Sequence, residues 1–383
     1  MPRVLTISTL YPNSAEPGRG VFVRHRLQAA ARVADLRLIA AVDFKLRRLV
    51  APDWADDGTV RVCHPAWWHP PGGGALNPWF LAASLDRRVR AVRREFPFEL
   101  LDAQFGFPDG PAVAALAARY EVPFTITLRG SEQLHATYPM RRACLSWAFR
   151  RAAFIFAAGD RLREFALRLG ASPERLKTVP NGVDSSVFYP RDRAAVRQEF
   201  GIAADQTVIA AAGHLIALKG FDQLIRAVAA LDERVHLWIA GSGGGEREHE
   251  ARLRALPGEL GVAHRVHICG RLDQDGLAAL MSAADVFCLA SSREGWPNVV
   301  QEAMSCGTPV VATDVGAVPQ MIQDGVNGLV TPPDDVEALA EALRRAAGRE
   351  WNRSDISTRA QARGWDQVGR EVTGQWAIAA GGR

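Results

Sequence analysis

The chain has 383 residues, 48% of them apolar and 23% charged, which is an ordinary composition for a globular protein and too long for one compact α/β unit. Its net charge of +4 conceals an asymmetry: residues 1–190 carry 26 Lys and Arg against 17 Asp and Glu, whereas the remainder carries 20 against 25. The basic half suits an anionic partner such as a membrane surface, but its arginines lie on helical runs without interleaved aromatic residues, which argues against nucleic acid.

In chain order, short apolar runs alternate with amphipathic ones. Val4–Ser8, Leu36–Val42, Leu100–Ala103, Phe124–Leu128 and Ala153–Ala158 read as strands. Val21–Ala31, Phe80–Arg94, Gly110–Tyr120 and Arg161–Leu169 read as helices. This alternation predicts a doubly wound parallel sheet. Pro52–Pro78 breaks the rhythm, a long aperiodic stretch with Trp54, Trp67 and Trp68. Its tryptophans suit stacking on an acceptor sugar or lying at a membrane interface; the competing reading is a loop folded onto its own domain. After Leu176–Val183, the polar segment Asp184–Arg193 reads as a linker, and the plan repeats with strands at Thr207–Ala212, Val235–Ala240, Val266–Cys269, Asp285–Ala290 and Pro309–Thr313. The predicted domains are 1–187 and 188–364, with a final helix over 365–380 returning to the first. Met1-Pro2-Arg3 leads straight into a strand, and no apolar run approaches the ~20 residues needed to cross a bilayer. The five cysteines are scattered without a CxxC pair. A reducing, cytoplasmic location is expected, peripheral at most on the inner face of a membrane.

The densest chemistry lies in Ser291-Ser292-Arg293-Glu294-Gly295-Trp296-Pro297-Asn298-Val299-Val300-Gln301-Glu302, followed by Cys306-Gly307-Thr308-Pro309. Pro297 suits a first helical turn and Gly307 the position just past the helix end, so Glu294 falls on a βα loop and Glu302 in the second turn. Backbone N–H groups at such a helix start attract phosphate, and ligands collect at the carboxyl edge of an open parallel sheet. Gly213-His214-Leu215-Ile216-Ala217-Leu218-Lys219-Gly220 follows an earlier strand. A lysine in such a loop can reach a diphosphate and neutralise the charge of a departing group. Gly241 and the Asp314–Ala317 loop also follow strands, while Gly18 and Gly20 allow close backbone approach to a ligand before the first helix. Asp273-Gln274-Asp275 could suggest a metal, but two acids just before a helical run read as a cap, and no His/Cys cluster is present; no metal and no cofactor are expected.

The Glu294-x7-Glu302 spacing with its Gly and Pro flanks resembles the signature of the retaining glycosyltransferases of family 4. These have the GT-B fold, two Rossmann-like domains facing a central cleft. The Tyr11-Pro12 and Gly20-x-Phe22 pattern resembles the branch that builds bacterial surface polysaccharides and glycolipids. The resemblance covers essentially the whole chain and implies metal-independent transfer of a sugar from a UDP- or GDP-linked donor to a glycan or lipid-linked hydroxyl. It implies Glu294 and Lys219 as the catalytic pair. Glu302 would contact the ribose, and His214, Gly213, Gly241, Gly295, Trp296, Asn298, Val299 and Val300 would surround the donor. Asp109, Trp67 and Trp68 would lie on the acceptor side. Relatives commonly have Arg at the place of His214, and His-Gly-x-Asp where this chain has Arg129-Gly130-Ser131-Glu132; Arg129 is assigned to the donor in place of that His. A nucleotide-sugar epimerase of the same fold and a non-catalytic sugar-nucleotide-binding protein are the competing functions, since fold alone does not separate them.

Overall fold

A computed structural model describes residues 1–381 as two units: Met1–Gly182 together with the segment from Trp365 onward, and Val183–Gly364. The division falls at 182/183, a few residues before the 187/188 expected from the polar composition of the linker.

The first unit holds β1 (Arg3–Ser8), α1 (Val21–Ala31), β2 (Asp35–Ala40), β3 (Val42–Asp43), β4 (Ala55–Asp57), β5 (Val60–Cys63) and β6 (Ala66–Trp67). It continues with α2 (Asn77–Glu95), β7 (Leu100–Ala103), α3 (Asp109–Tyr120), β8 (Phe124–Leu128), α4 (Ser131–His135), α5 (Pro139–Arg151), β9 (Phe154–Ala157), α6 (Asp160–Arg168) and β10 (Leu176–Thr178). The main sheet has the order β10-β9-β8-β7-β1-β2-β5-β4 and is parallel apart from the edge pair β4–β5. Strands such as β8 are buried at every position, as expected when helices cover both faces.

The first unit departs from the sequence reading in two places. Pro52–Pro78 is not one long loop: β4 and β5 form a hairpin that extends the sheet, and β6 pairs with β3. Val60 and Val62 point into the core from β5, an alternation too short to register among so many Gly, Pro and Trp residues. The run Leu36–Val42 divides into β2 and β3, which join different sheets.

The second unit comprises α7 (Arg193–Glu199), β11 (Thr207–Ala212), α8 (Phe221–Ala229), β12 (Val235–Ala240), α9 (Arg247–Glu259), β13 (Val266–Gly270), α10 (Gln274–Ala283) and β14 (Val286–Leu289). Then come α11 (Asn298–Ser305), β15 (Val310–Thr313), α12 (Val318–Met321), β16 (Gly328–Thr331), α13 (Val336–Ala347) and α14 (Arg353–Gln361). Its sheet is wholly parallel, with the order β13-β12-β11-β14-β15-β16. Period-2 alternation sorts each strand between two cores: Val208, Ala210 and Ala212 of β11 enter one, and Ile209 and Ala211 enter the other. Asp273 caps α10 by accepting from the Gly276 N–H, and Asp275 pairs with Arg191.

The last helix, α15 (Trp365–Gly381), belongs to the first unit, where it packs on α1 and buries Trp376 completely. Gly369 makes that approach possible, because a Cβ there would stand 2.7 Å from the Ala29 carbonyl. Among the described residues, no helix is long and apolar enough to cross a membrane.

Candidate functional site

In the second unit β11 is hydrogen-bonded to β12 on one side and to β14 on the other, so the chain reverses its direction of winding there. The loops leaving the carboxyl ends of β11 and β14 therefore diverge around a crevice, the usual ligand position in an open α/β sheet. Both are tied together: the Ser292 N–H donates to the Leu218 carbonyl at 3.0 Å. Gly220 lies at φ 61°, and a Cβ there would be 2.1 Å from the Ala290 oxygen, so α8 starts hard against the end of β14.

This register brings Lys219 and Glu294 together. Lys219 Nζ lies 2.6 Å from Glu294 Oε1, and the Ser291 hydroxyl donates to the same oxygen at 2.8 Å. The two side chains are 20% and 13% exposed, so the pair is reachable from solvent but largely desolvated. The Glu294 backbone is held from beneath. The Ala317 N–H donates to the Gly295 carbonyl at 3.0 Å, the Thr313 hydroxyl donates to the Ser291 carbonyl at 2.6 Å, and a Cβ on Gly316 would approach the Glu294 carbonyl oxygen to 2.4 Å. A carboxylate and an ammonium locked onto neighbouring βα loops can act on opposite charges of one bound ligand.

Glu302 lies in α11, whose N-cap is Pro297, one residue outside the helix rather than within its first turn. Among the described residues nothing gives the Glu302 carboxylate a hydrogen bond or an ion pair, and burial pushes its pKa up to about 7. A partly buried carboxylate with spare acceptor capacity is suited to ligand hydroxyls. His214 is exposed, with Nδ1 3.3 Å from the Gly243 carbonyl. Gly213 and Gly241 cross so closely that a Cβ on Gly241 would stand 2.0 Å from the Gly213 oxygen. Gly295, Asn298 and Val299 are half-buried beside Glu294. Trp296 is half-buried too, and its indole N–H is without a hydrogen-bond partner among the described residues.

Three of the expected site residues lie buried in their own units. Val300 is fully buried in the core and gives its N–H to the Pro297 carbonyl at 3.1 Å, so it does not present an amide to a ligand. Arg129 is 9% exposed and turned into the interior of the first unit, donating from Nε to the Gln104 carbonyl at 3.0 Å and from Nη2 to Gln104 Oε1 at 2.6 Å. Burial holds its pKa well below the usual arginine value. Asp109 is completely buried; it accepts from the Thr9 N–H at 3.1 Å and the Thr9 hydroxyl at 2.8 Å, joining the loops after β1 and β7. Burial raises its pKa to about 7.

Glu132 is the buried group that sequence reasoning left without a role: its carboxylate accepts from the N–H groups of Gly106, Arg129 and Gly130. Gly20, at φ 72°, sets the start of α1, whereas Gly18 is exposed. Trp67 is buried against His69, with 4.6 Å between ring centroids, while Trp68 stays half exposed. Beside them a cavity of about 370 Å³ opens beyond the ends of the paired strands β1 and β7, lined by Thr9, Trp67, His69, Phe107, His135 and Arg141 among others. Those cavity residues come from distant segments, and no local motif marks them.

Comparison with known proteins gives the same picture for both halves. Residues 47–187 match the family described as Glycosyltransferase Family 4, and residues 192–363 match Glycosyl transferases group 1. A D-inositol 3-phosphate glycosyltransferase of Kribbella flavida is 35% identical over 246 residues, 59% of this chain and 57% of its own length. The chain thus spans little more than half of that relative. A putative teichuronic acid biosynthesis glycosyltransferase, TuaC of Bacillus subtilis, is 27% identical over 90% of this chain and 88% of its own. Among solved structures, Anabaena HepE in complex with UDP superposes with a TM-score of 0.79 at 20% identity, over 98% of this chain and all of HepE; it has also been solved with UDP-glucose.

Proposed function

The chain belongs to the family 4 and group 1 glycosyltransferases with the GT-B fold, and we propose that it is a retaining glycosyltransferase acting on a nucleotide-diphosphate sugar. The observation that carries this reading is the Lys219–Glu294 pair at the switch point of the second unit, with the Glu302 carboxylate close by in sequence on α11. Donor binding would part the pair: Lys219 turns to the diphosphate, and Glu294 to the hydroxyls and developing positive charge of the transferred ring. Glu302 would accept from the ribose hydroxyls. The anomeric C–O bond to the diphosphate breaks, an acceptor hydroxyl oxygen forms the new bond on the same face, and its proton passes to the departing diphosphate oxygen. This route uses no separate general base, metal or cofactor.

UDP-glucose is the first donor to try, because a structural neighbour has been solved with it; GDP-sugars are the comparison. The acceptor would be a glycan or lipid-linked hydroxyl presented by the first unit at the cytoplasmic face of a membrane. Support for membrane attachment comes from the basic first half and from α2. There Arg90 is paired with Asp86 and Arg93 donates to the Phe98 carbonyl, while Arg87, Arg88 and Arg94 have no carboxylate partner among the described residues. Exposed Trp68, Leu76 and Trp79 lie on or near the same helix.

The test is nucleoside diphosphate release from a panel of UDP- and GDP-sugars, with and without lipid-linked acceptors. Acceptor-dependent release with the anomeric configuration kept supports the proposal. An inverted product, or a product formed equally without acceptor, overturns it.

A further inference from the structure

Resting on the transferase reading, we infer that Ser291 is a positioning residue: its hydroxyl keeps the Glu294 carboxylate aimed once Lys219 has left it for the diphosphate. In the free protein a single carboxylate oxygen carries both partners. Glu294 Oε1 accepts from Lys219 Nζ at 2.6 Å and from Ser291 Oγ at 2.8 Å, which fills the lone-pair sites of that oxygen. Among the described residues nothing donates to Oε2, so the side chain is fixed through one oxygen and offers the other.

The two donors differ in how they are held. Lys219 reaches Glu294 from a loop 75 residues away in the chain, and its ammonium stands at the end of a long flexible stem. Ser291 is three residues from Glu294, completely buried, and short. Its backbone is pinned as well. The Ser291 carbonyl accepts from the buried Thr313 hydroxyl at 2.6 Å, and the next N–H, that of Ser292, donates to the Leu218 carbonyl at 3.0 Å. A diphosphate that draws the ammonium away therefore removes one donor and leaves the other in place. The contacts at Gly295 and Gly316 hold the Glu294 main chain but leave its side-chain torsions free, and the charge-assisted bond from Ser291 is what restricts them. Aim matters because a carboxylate that meets charge growing on the sugar ring is effective only from a fixed place. Fixing it beforehand also spares the transition state the entropy of ordering a long side chain.

Two variants of the full chain separate the hydroxyl from the space it fills: Ser291→Ala removes the donor, and Ser291→Cys fills the same place with a much weaker one. With UDP-glucose, or whichever sugar nucleotide of the panel the wild type uses, both should lower kcat by roughly tenfold or more while the donor KM moves by less than about twofold. In a Glu294→Ala background, where no carboxylate remains to be aimed, adding Ser291→Ala should cost less than about twofold. Wild-type turnover in Ser291→Ala, full recovery in Ser291→Cys, or the same fold loss in both backgrounds would each overturn the inference. Thermal unfolding reads the contact without turnover. Ser291→Ala should lower the melting temperature of the wild type more than that of Glu294→Ala, and equal shifts would again overturn the inference. A wild type that releases no nucleotide from any sugar nucleotide and acceptor sinks the transferase reading instead, and the unfolding comparison then decides by itself whether Ser291 holds Glu294.

Discussion

Glu302 should trade stability for ligand binding, and the trade can be measured without knowing the acceptor. Its carboxyl is half-buried and has no hydrogen-bonding or ionic partner among the described residues, and this desolvation raises its pKa from 4.5 to about 7. For an acid raised in this way, the folded state binds the proton more tightly than the unfolded one. Stability is then highest below the unfolded value near 4.5 and falls as pH rises towards 7. The difference of about 2.5 corresponds to ~3 kcal/mol lost by pH 8, at 1.36 kcal/mol for each tenfold change. Glu302→Gln keeps the shape and removes the charge, so it should stabilise the free protein at pH 8 by ~2–3 kcal/mol and by almost nothing at pH 4.5. For a unit of this size that is a rise of several degrees, at ~2–4 °C per kcal/mol. Cys306, whose thiol feels the Glu302 charge, does not titrate in this range, because burial pushes it up to about 12. Thermal unfolding of both proteins across this pH range provides the check, and UDP-glucose titration of the same samples should show the variant binding more weakly by ~1.5–3 kcal/mol. A variant equally stable or less stable at pH 8 would refute the burial argument, and unchanged donor affinity would remove Glu302 from the ribose.

Glu294→Gln should lower turnover by ~10²–10³-fold while changing donor affinity by less than ~1 kcal/mol, because the positive charge it meets grows during bond breaking; steady-state and binding measurements together would expose a fully active variant. Lys219→Ala should lower turnover by ~100-fold or more, and a loss of only a few-fold would shift the diphosphate to His214 or the helix amides. Gly316→Ala, whose Cβ would meet the Glu294 carbonyl at 2.4 Å, should displace the loop and reduce turnover by at least ~10-fold with the fold retained by circular dichroism; near-normal kinetics would mean that the loop tolerates the shift. Vesicle co-sedimentation should show salt-sensitive binding to anionic lipid that weakens when Arg87, Arg88 and Arg94 are replaced by Gln, and equal binding to neutral lipid would count against membrane docking.

Sequence alone determined the elements of this protein wherever burial imposes a period. A strand covered on both faces is largely apolar, so the bounds of β7, β8, β11 and β12 are legible to the residue even though β7 carries Asp102 and β12 carries His236. The Glu294-x7-Glu302 spacing was legible for a similar reason, because a loop and the helix that follows it are contiguous in the chain. The edge pair β4–β5 was not legible, since its short alternation takes meaning only from the β2 backbone beside it. Nor were the fates of individual polar side chains. Arg129 and Glu294 both follow strands in the sequence, yet one is turned inward onto Gln104 and the other is paired with Lys219 across 75 residues. Only the strand order decided that, by putting β11 beside β14 and β1 beside β7 and so bringing together loops that are remote in the chain. The same order assembles the Arg141 cavity, whose lining comes from five separate segments and follows no local period. Local burial patterns write themselves into sequence, whereas the counter-charge a side chain finds depends on which distant loop the sheet sets next to it.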